Sequence, residues 1–101
     1  MYIYLIKNDT DDLYKIGFSN DVYKRLKQLE TGNPYKLVLI DKFKTNHKRK
    51  IETTLHNTLK HLNVNGEWFR LSEEFVKNFN SICQKHEDTF TYLKEMGNPF
   101  V

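Results

Sequence analysis

Tyr4, Lys15, Arg25 and Glu52 carry the side chains of this chain best suited to a shared chemistry. Side chains alternate between faces along a strand, so in the apolar run at 2–7 Tyr2, Tyr4 and Ile6 face one way and Ile3 and Leu5 the other. In the run at 13–18, Lys15 and Gly17 share one face, with Tyr14, Ile16 and Phe18 opposite. Ile3, Leu5, Ile16 and Phe18 form the obvious core set, which leaves Tyr4, Lys15 and Gly17 together on the second face. Gly17 leaves space there for a helix or a ligand to approach the backbone. Arg25 follows Val22 by three and precedes Leu29 by four, so it flanks the apolar stripe of a helix and reaches the same region. Glu52 and His56 are i, i+4 neighbours beside the stripe of a later helix. One carboxylate of this kind suits a hard cation such as Mg²⁺, which keeps most of its waters. A phenol, an ammonium, a guanidinium and a carboxylate around one point suit phosphodiester hydrolysis. That reaction needs a base for water, cations around the developing phosphorane charge, and help for the leaving oxygen.

The elements that must position these groups follow from local pattern. The two apolar runs read as a hairpin, joined by the turn chemistry of Asn8, Asp9, Thr10, Asp11 and Asp12. That acidic stretch lacks the glycine and the distal glutamate of a calcium loop. Ser19, Asn20 and Asp21 offer N-caps to a helix with Val22, Leu26 and Leu29 on one stripe, stopped by Gly32 and Pro34. Residues 37–43 predict a third strand, whose nearly continuous apolar character points to a central position covered on both sides. A second helix spans about 47–62 with Ile51, Leu55, Leu59 and Leu62 inward, and 63–66 form a turn. Residues 67–71 read as a short strand or an extended entry to a helix capped by Ser72, with Phe75, Phe79 and Ile82 inward. A separate short helix is expected from Asp88 to Met96, ended by Gly97 and Pro99. The order predicts an α+β domain: a small antiparallel sheet of three strands, with a fourth short strand as an option, flanked by helices.

Length and composition narrow the classes. At 101 residues and 12.2 kDa, with 39% hydrophobic and 14% aromatic residues, the chain supports one small core. Lys+Arg number 16 against 13 for Asp+Glu, a net charge of +3, which permits a polyanionic partner without demanding one. The positive charge gathers in a run of Lys42, Lys44, His47, Lys48, Arg49 and Lys50, with Lys24, Arg25 and Lys27 adding to it. No apolar run is long enough to cross a bilayer and the first residues do not resemble a signal peptide, so a cytoplasmic location is expected. Cys83 is alone, which excludes an internal disulfide, and it reads as a core thiol. His47, His61 and His86 lack zinc-site spacing.

Tyr2-Ile3-Tyr4, Tyr14-Lys15-Ile16-Gly17 and Arg25, in that order, resemble the GIY-YIG nuclease superfamily, in the variant whose second motif reads KIG. The separations Tyr4 to Lys15 and Lys15 to Arg25 match its spacing. Ile51-Glu52-Thr53-Thr54-Leu55-His56 and Gly66-Glu67-Trp68-Phe69 resemble the E-x-x-L-H and G-E-W-F signatures of that branch, found among phage, viral and bacterial proteins. The likeness covers about 2–71, a nuclease core, with 72–101 as helices packing on or extending it. It implies that Tyr4 is the general base or positions the attacking water, that Lys15 favours the phenolate, and that Arg25 holds the scissile phosphate. It implies further that Glu52 binds one Mg²⁺ or Mn²⁺, with His56 and Glu67 beside that site as further ligand, supporting neighbour or leaving-group acid. Two positions depart from the pattern. Tyr2 replaces the first glycine, and Leu29 stands where many members carry tyrosine or histidine, so a second proton-transfer group is either missing or supplied by Tyr14, Tyr35 or His56.

These readings predict a metal-dependent endonuclease acting on DNA, with Arg25, Lys24, Lys27, Lys48 and Arg49 contacting phosphates. The alternative is a non-catalytic nucleic-acid-binding module on the same fold. A third reading is a protein-interaction domain using Phe90, Tyr92, Met96 and Phe100.

Overall fold

The computed structural model describes residues 1–97, so Pro99 as a helix stop and Phe100 as a contact residue lie outside the described residues. The chain forms β1 (Tyr2–Asn8), β2 (Leu13–Ser19), α1 (Val22–Thr31), β3 (Leu37–Lys44), α2 (Lys48–Thr58), β4 (Asn63–Asn65), β5 (Trp68–Phe69), α3 (Glu73–Lys77) and α4 (Phe79–Glu95). This is the expected α+β arrangement, with a larger sheet: five strands in the order β3-β1-β2-β5-β4, every pairing antiparallel.

β1 and β2 pair along their whole length, from Tyr2 opposite Ser19 to Asn8 opposite Leu13. Their turn closes on itself. Asn8 Oδ1 accepts from the backbone of Thr10 (3.1 Å) and Asp11 (3.3 Å), while Lys7 pairs with Asp9 (3.7 Å) and Asp12 (3.4 Å). The acidic side chains are thus a solvated turn around a lysine, as their turn chemistry predicts.

The sheet is covered on both sides, which produces two apolar clusters. On one face Ile3, Leu5, Ile16 and Phe43 meet Ile51, Leu55 and Leu59 of the α2 segment and Phe79 and Cys83 of α4. On the other face Tyr4, Ile6 and Leu37 meet Val22 of α1, with Leu26, Leu29 and Trp68 packed against them. The alternation expected along β1 and β2 is therefore realised, including Phe18 against the first cluster. Burial in that cluster pushes the Cys83 thiol up to about 12, as befits an inert core cysteine.

Four expectations are corrected. β3 is an edge strand, not a central one: among the described residues β1 is its one partner, and Ile40 is 39% exposed. Its apolar run arises because α1 packs on one face of it and α4 on the other. α2 ends at Thr58, and Lys60–Leu62 form a single 3₁₀ turn that keeps Leu59 buried. The C-terminal break falls at Asn78, not before Asp88. Asn78 Nδ2 donates to the Glu74 carbonyl at 3.0 Å and ends α3 there. Gln84 donates to Asp88 at 2.8 Å across one turn, and α4 runs through. Residues 63–66, expected as a turn, supply β4 before the turn at Gly66, whose φ of 55° suits glycine.

Candidate active site

The site forms where β5 stops. β5 pairs with β2 only at Tyr14 and Lys15, so among the described residues the edge of β2 away from β1 has no strand beside it from Ile16 onward. Across that open edge, groups carried on the α1 face of the sheet can interact with groups carried by α2.

Tyr4 and Gly17 are direct cross-strand partners. The Tyr4 ring lies across the glycine: a Cβ built on Gly17 would stand 2.6 Å from Cζ of Tyr4 and closer still to its hydroxyl oxygen. The space expected at Gly17 for a helix or ligand is filled by the chain's own phenol. Tyr4 is 2% exposed, and burial raises its phenol above the usual tyrosine value. Arg25, brought to the same place by α1 with Asp21 as its N-cap (Lys24 N–H to Oδ1, 3.1 Å), opposes that rise by hydrogen bonding and by charge. Glu67 and Glu52 raise the phenol further through their charge.

Lys15 is 7% exposed, and its ammonium is ion-paired with Glu67 and lies 5.7 Å from the centre of the Trp68 ring. A buried ammonium needs such a partner, which explains why Glu67 stands in the turn leading into β5. Arg25, and not the Glu67-bound Lys15, is thus the main cation acting on the Tyr4 phenol.

Glu52 and His56 project from α2. His56 donates Nε2–H to the Ile16 carbonyl at 2.8 Å, capping the uncovered edge of β2, and its ring lies 5.1 Å from that of Phe69. Glu52 is half-buried and accepts no hydrogen bond or ion pair among the described residues. Burial pushes its carboxyl above the ordinary carboxylate value, while His56, Lys15 and Arg49 pull it down and Glu67 adds to the rise. A half-buried carboxylate without a bound partner fits a divalent cation that retains its waters. Among the described residues no three His, Cys, Asp or Glu side chains form a ready-made cage.

The other expected residues fall into place around this centre. Leu29 packs into the Tyr4–Ile6 cluster, so an apolar side chain there fills core. Tyr14 is buried on the opposite face and Tyr35 is 41% exposed in the α1–β3 connection. Neither is among the groups that act on Tyr4 or Glu52. Tyr2, in place of the first motif glycine, lies 5.0 Å from the Lys42 ammonium, with the Tyr23 ring 4.8 Å away on that same cation. Lys48 and Arg49 lie over Phe18 at 5.7 Å and 5.9 Å, whereas Lys24 and Lys27 are exposed on α1. The Lys15–Glu67 pair and the His56–Ile16 contact had no signal in the sequence, because each joins positions far apart in the chain.

The chain belongs to the T5orf172 domain family, whose profile matches residues 1–84. It is also similar to the protein described as "Uncharacterized protein 460R" of Invertebrate iridescent virus 6, at 28% identity over 90 residues. That match takes in 81% of this chain and 41% of the viral protein, so the chain spans well under half the length of that relative. No solved structure matches the chain. Among the described residues, no helix is long and apolar enough to cross a membrane.

Proposed function

We propose that this chain is a metal-dependent DNA endonuclease of the GIY-YIG type, hydrolysing phosphodiester bonds with Tyr4 as base and one Mg²⁺ or Mn²⁺ held by Glu52. The observation that carries the reading is the meeting of Tyr4, Arg25 and Glu52 at the open end of β2, where Gly17 makes room for the phenol. Tyr4, in its phenolate form, accepts the proton of the attacking water and becomes the neutral phenol. Arg25 holds the non-bridging oxygens of the scissile phosphate with its planar fork and favours the phenolate. Lys15 keeps Glu67 in place behind the phenol, and His56 fixes the β2 edge and the orientation of α2, hence of Glu52. Glu52 would hold the divalent cation, which when bound would supply charge stabilisation to the phosphate and the leaving oxygen. The viral relative accords with the phage and viral setting of the family resembled, and the basic residues of α1 and α2 suit a DNA partner.

The test is cleavage of supercoiled plasmid by purified protein with Mg²⁺, Mn²⁺ or EDTA, beside Tyr4→Phe and Glu52→Ala. Nicking that requires metal and is lost in both variants is expected. Loss in Tyr4→Phe alone moves the metal ligand elsewhere. Absence of cutting, together with salt-sensitive DNA binding weakened by Arg25→Ala, favours the non-catalytic module.

A further inference from the structure

We propose that the last turn of α4 completes, with the first turn of α2, a groove for the DNA backbone, so that a strand held at Tyr4 and Arg25 continues past Arg49 and Lys48 to Lys94. The identity of the strand rests on the nuclease reading; the groove itself rests on separate observations.

A recess of about 270 Å³ is lined by Asn46, His47, Lys48, Arg49, Lys50 and Lys94. Among the described residues its lining has no carboxylate. Lys48, Arg49 and Lys94 bring positive charge together around this recess, and a polyanion is its electrostatic complement. Arg49 links the recess to the candidate active site across the open edge of β2. It lines the recess, acts on Glu52 by charge, and like Lys48 lies against the Phe18 ring on the α2 side of the sheet. A strand of regularly spaced phosphates fits such a run of cations better than a single small anion does.

Specific contacts hold α4 where this requires. Glu87 accepts from the Thr45 hydroxyl at 2.5 Å and from the Asn46 backbone N–H at 3.0 Å. His47 Nε2 lies 3.1 Å from the Thr91 hydroxyl, and its ring 6.0 Å from that of Phe90. Lys94 follows Thr91 by three residues on the same helix and is carried to the recess by those contacts. Lys94 lies beyond the matched residues 1–84, so the groove is a property of this chain's own α4.

The test is binding of a short fluorescein-labelled DNA duplex in EDTA, by anisotropy, across a range of KCl concentrations. Lys94→Gln is expected to weaken binding and to lower the slope of log K against log salt by about 1. Lys85→Gln removes the same charge from another face of α4, where Lys85 lines a recess with Phe75 and Ser81, and is expected to leave the slope unchanged. Circular dichroism melts confirm that both variants fold. Cleavage with an unaltered slope in Lys94→Gln overturns the groove and leaves the nuclease reading intact. A reduced slope in a protein that never cuts keeps the groove and overturns the nuclease reading. A parent protein that binds no DNA at low salt overturns both.

Discussion

At the scale of single residues, Tyr4 sits between opposing influences. Burial raises its phenol and Arg25 lowers it, with burial the larger, so the folded chain favours the neutral form. If the phenolate is the base, the cleavage rate should climb about tenfold per pH unit between roughly pH 7 and 9, and Tyr4→Phe should lose about 10²–10⁴-fold. Stability carries the matching sign. The contribution of the neutral phenol is present below the ordinary value of 10.0 and is lost as pH rises through the higher folded value. Urea denaturation at about pH 9 and about pH 11 should show the wild type losing more stability than Tyr4→Phe. Gly17 is bound to the same ring. Gly17→Ala would force its methyl group into the Tyr4 phenol, so a cost of about 1–3 kcal/mol in urea denaturation is expected, together with loss of nicking.

At the scale of elements, the informative feature is the strand edge that β5 leaves uncovered. His56 satisfies the Ile16 carbonyl there and ties α2 to β2. His56→Ala leaves that carbonyl without its partner and is expected to cost about 1–3 kcal/mol in a thermal or urea melt, with neither DNA nor metal present. A purely catalytic histidine would leave the melt of the free protein unchanged. The ion pair of Lys15 with Glu67 serves the same end from the other side, fastening the turn before β5 to β2.

For the whole molecule, α3 and α4 belong to the core that the sheet and α2 build. Phe79 and Cys83 are completely buried in it, and Phe90 packs against it. The matched family region stops at residue 84, within α4. Ending the chain there removes Phe90, the Glu87 and Thr91 hydrogen bonds, and Lys94. A loss of about 2–4 kcal/mol is expected from urea denaturation of a chain of residues 1–84. The same truncation should reduce the salt slope of DNA binding, because one end of the basic groove goes with it.

Alternation along β1 and β2 was enough to put Tyr4, Lys15 and Gly17 on one face and Ile3, Leu5, Ile16 and Phe18 on the other. The stripes of α1 and α2 likewise identified Val22, Leu26, Ile51 and Leu55 as inward. These follow from local backbone geometry, which repeats every two residues in a strand and every 3.6 in a helix. The edge position of β3 could not be read this way, since helices on both faces produce the same continuous apolar run whether a strand lies at the edge of a sheet or inside it. Nor could the pairing of β4 with β5, the break at Asn78, the hold of Glu67 on Lys15, or the arrival of Lys94 beside Lys48. Each depends on which distant segments pack together, and that choice is made by the assembled core and its buried charges rather than by any window of neighbouring residues.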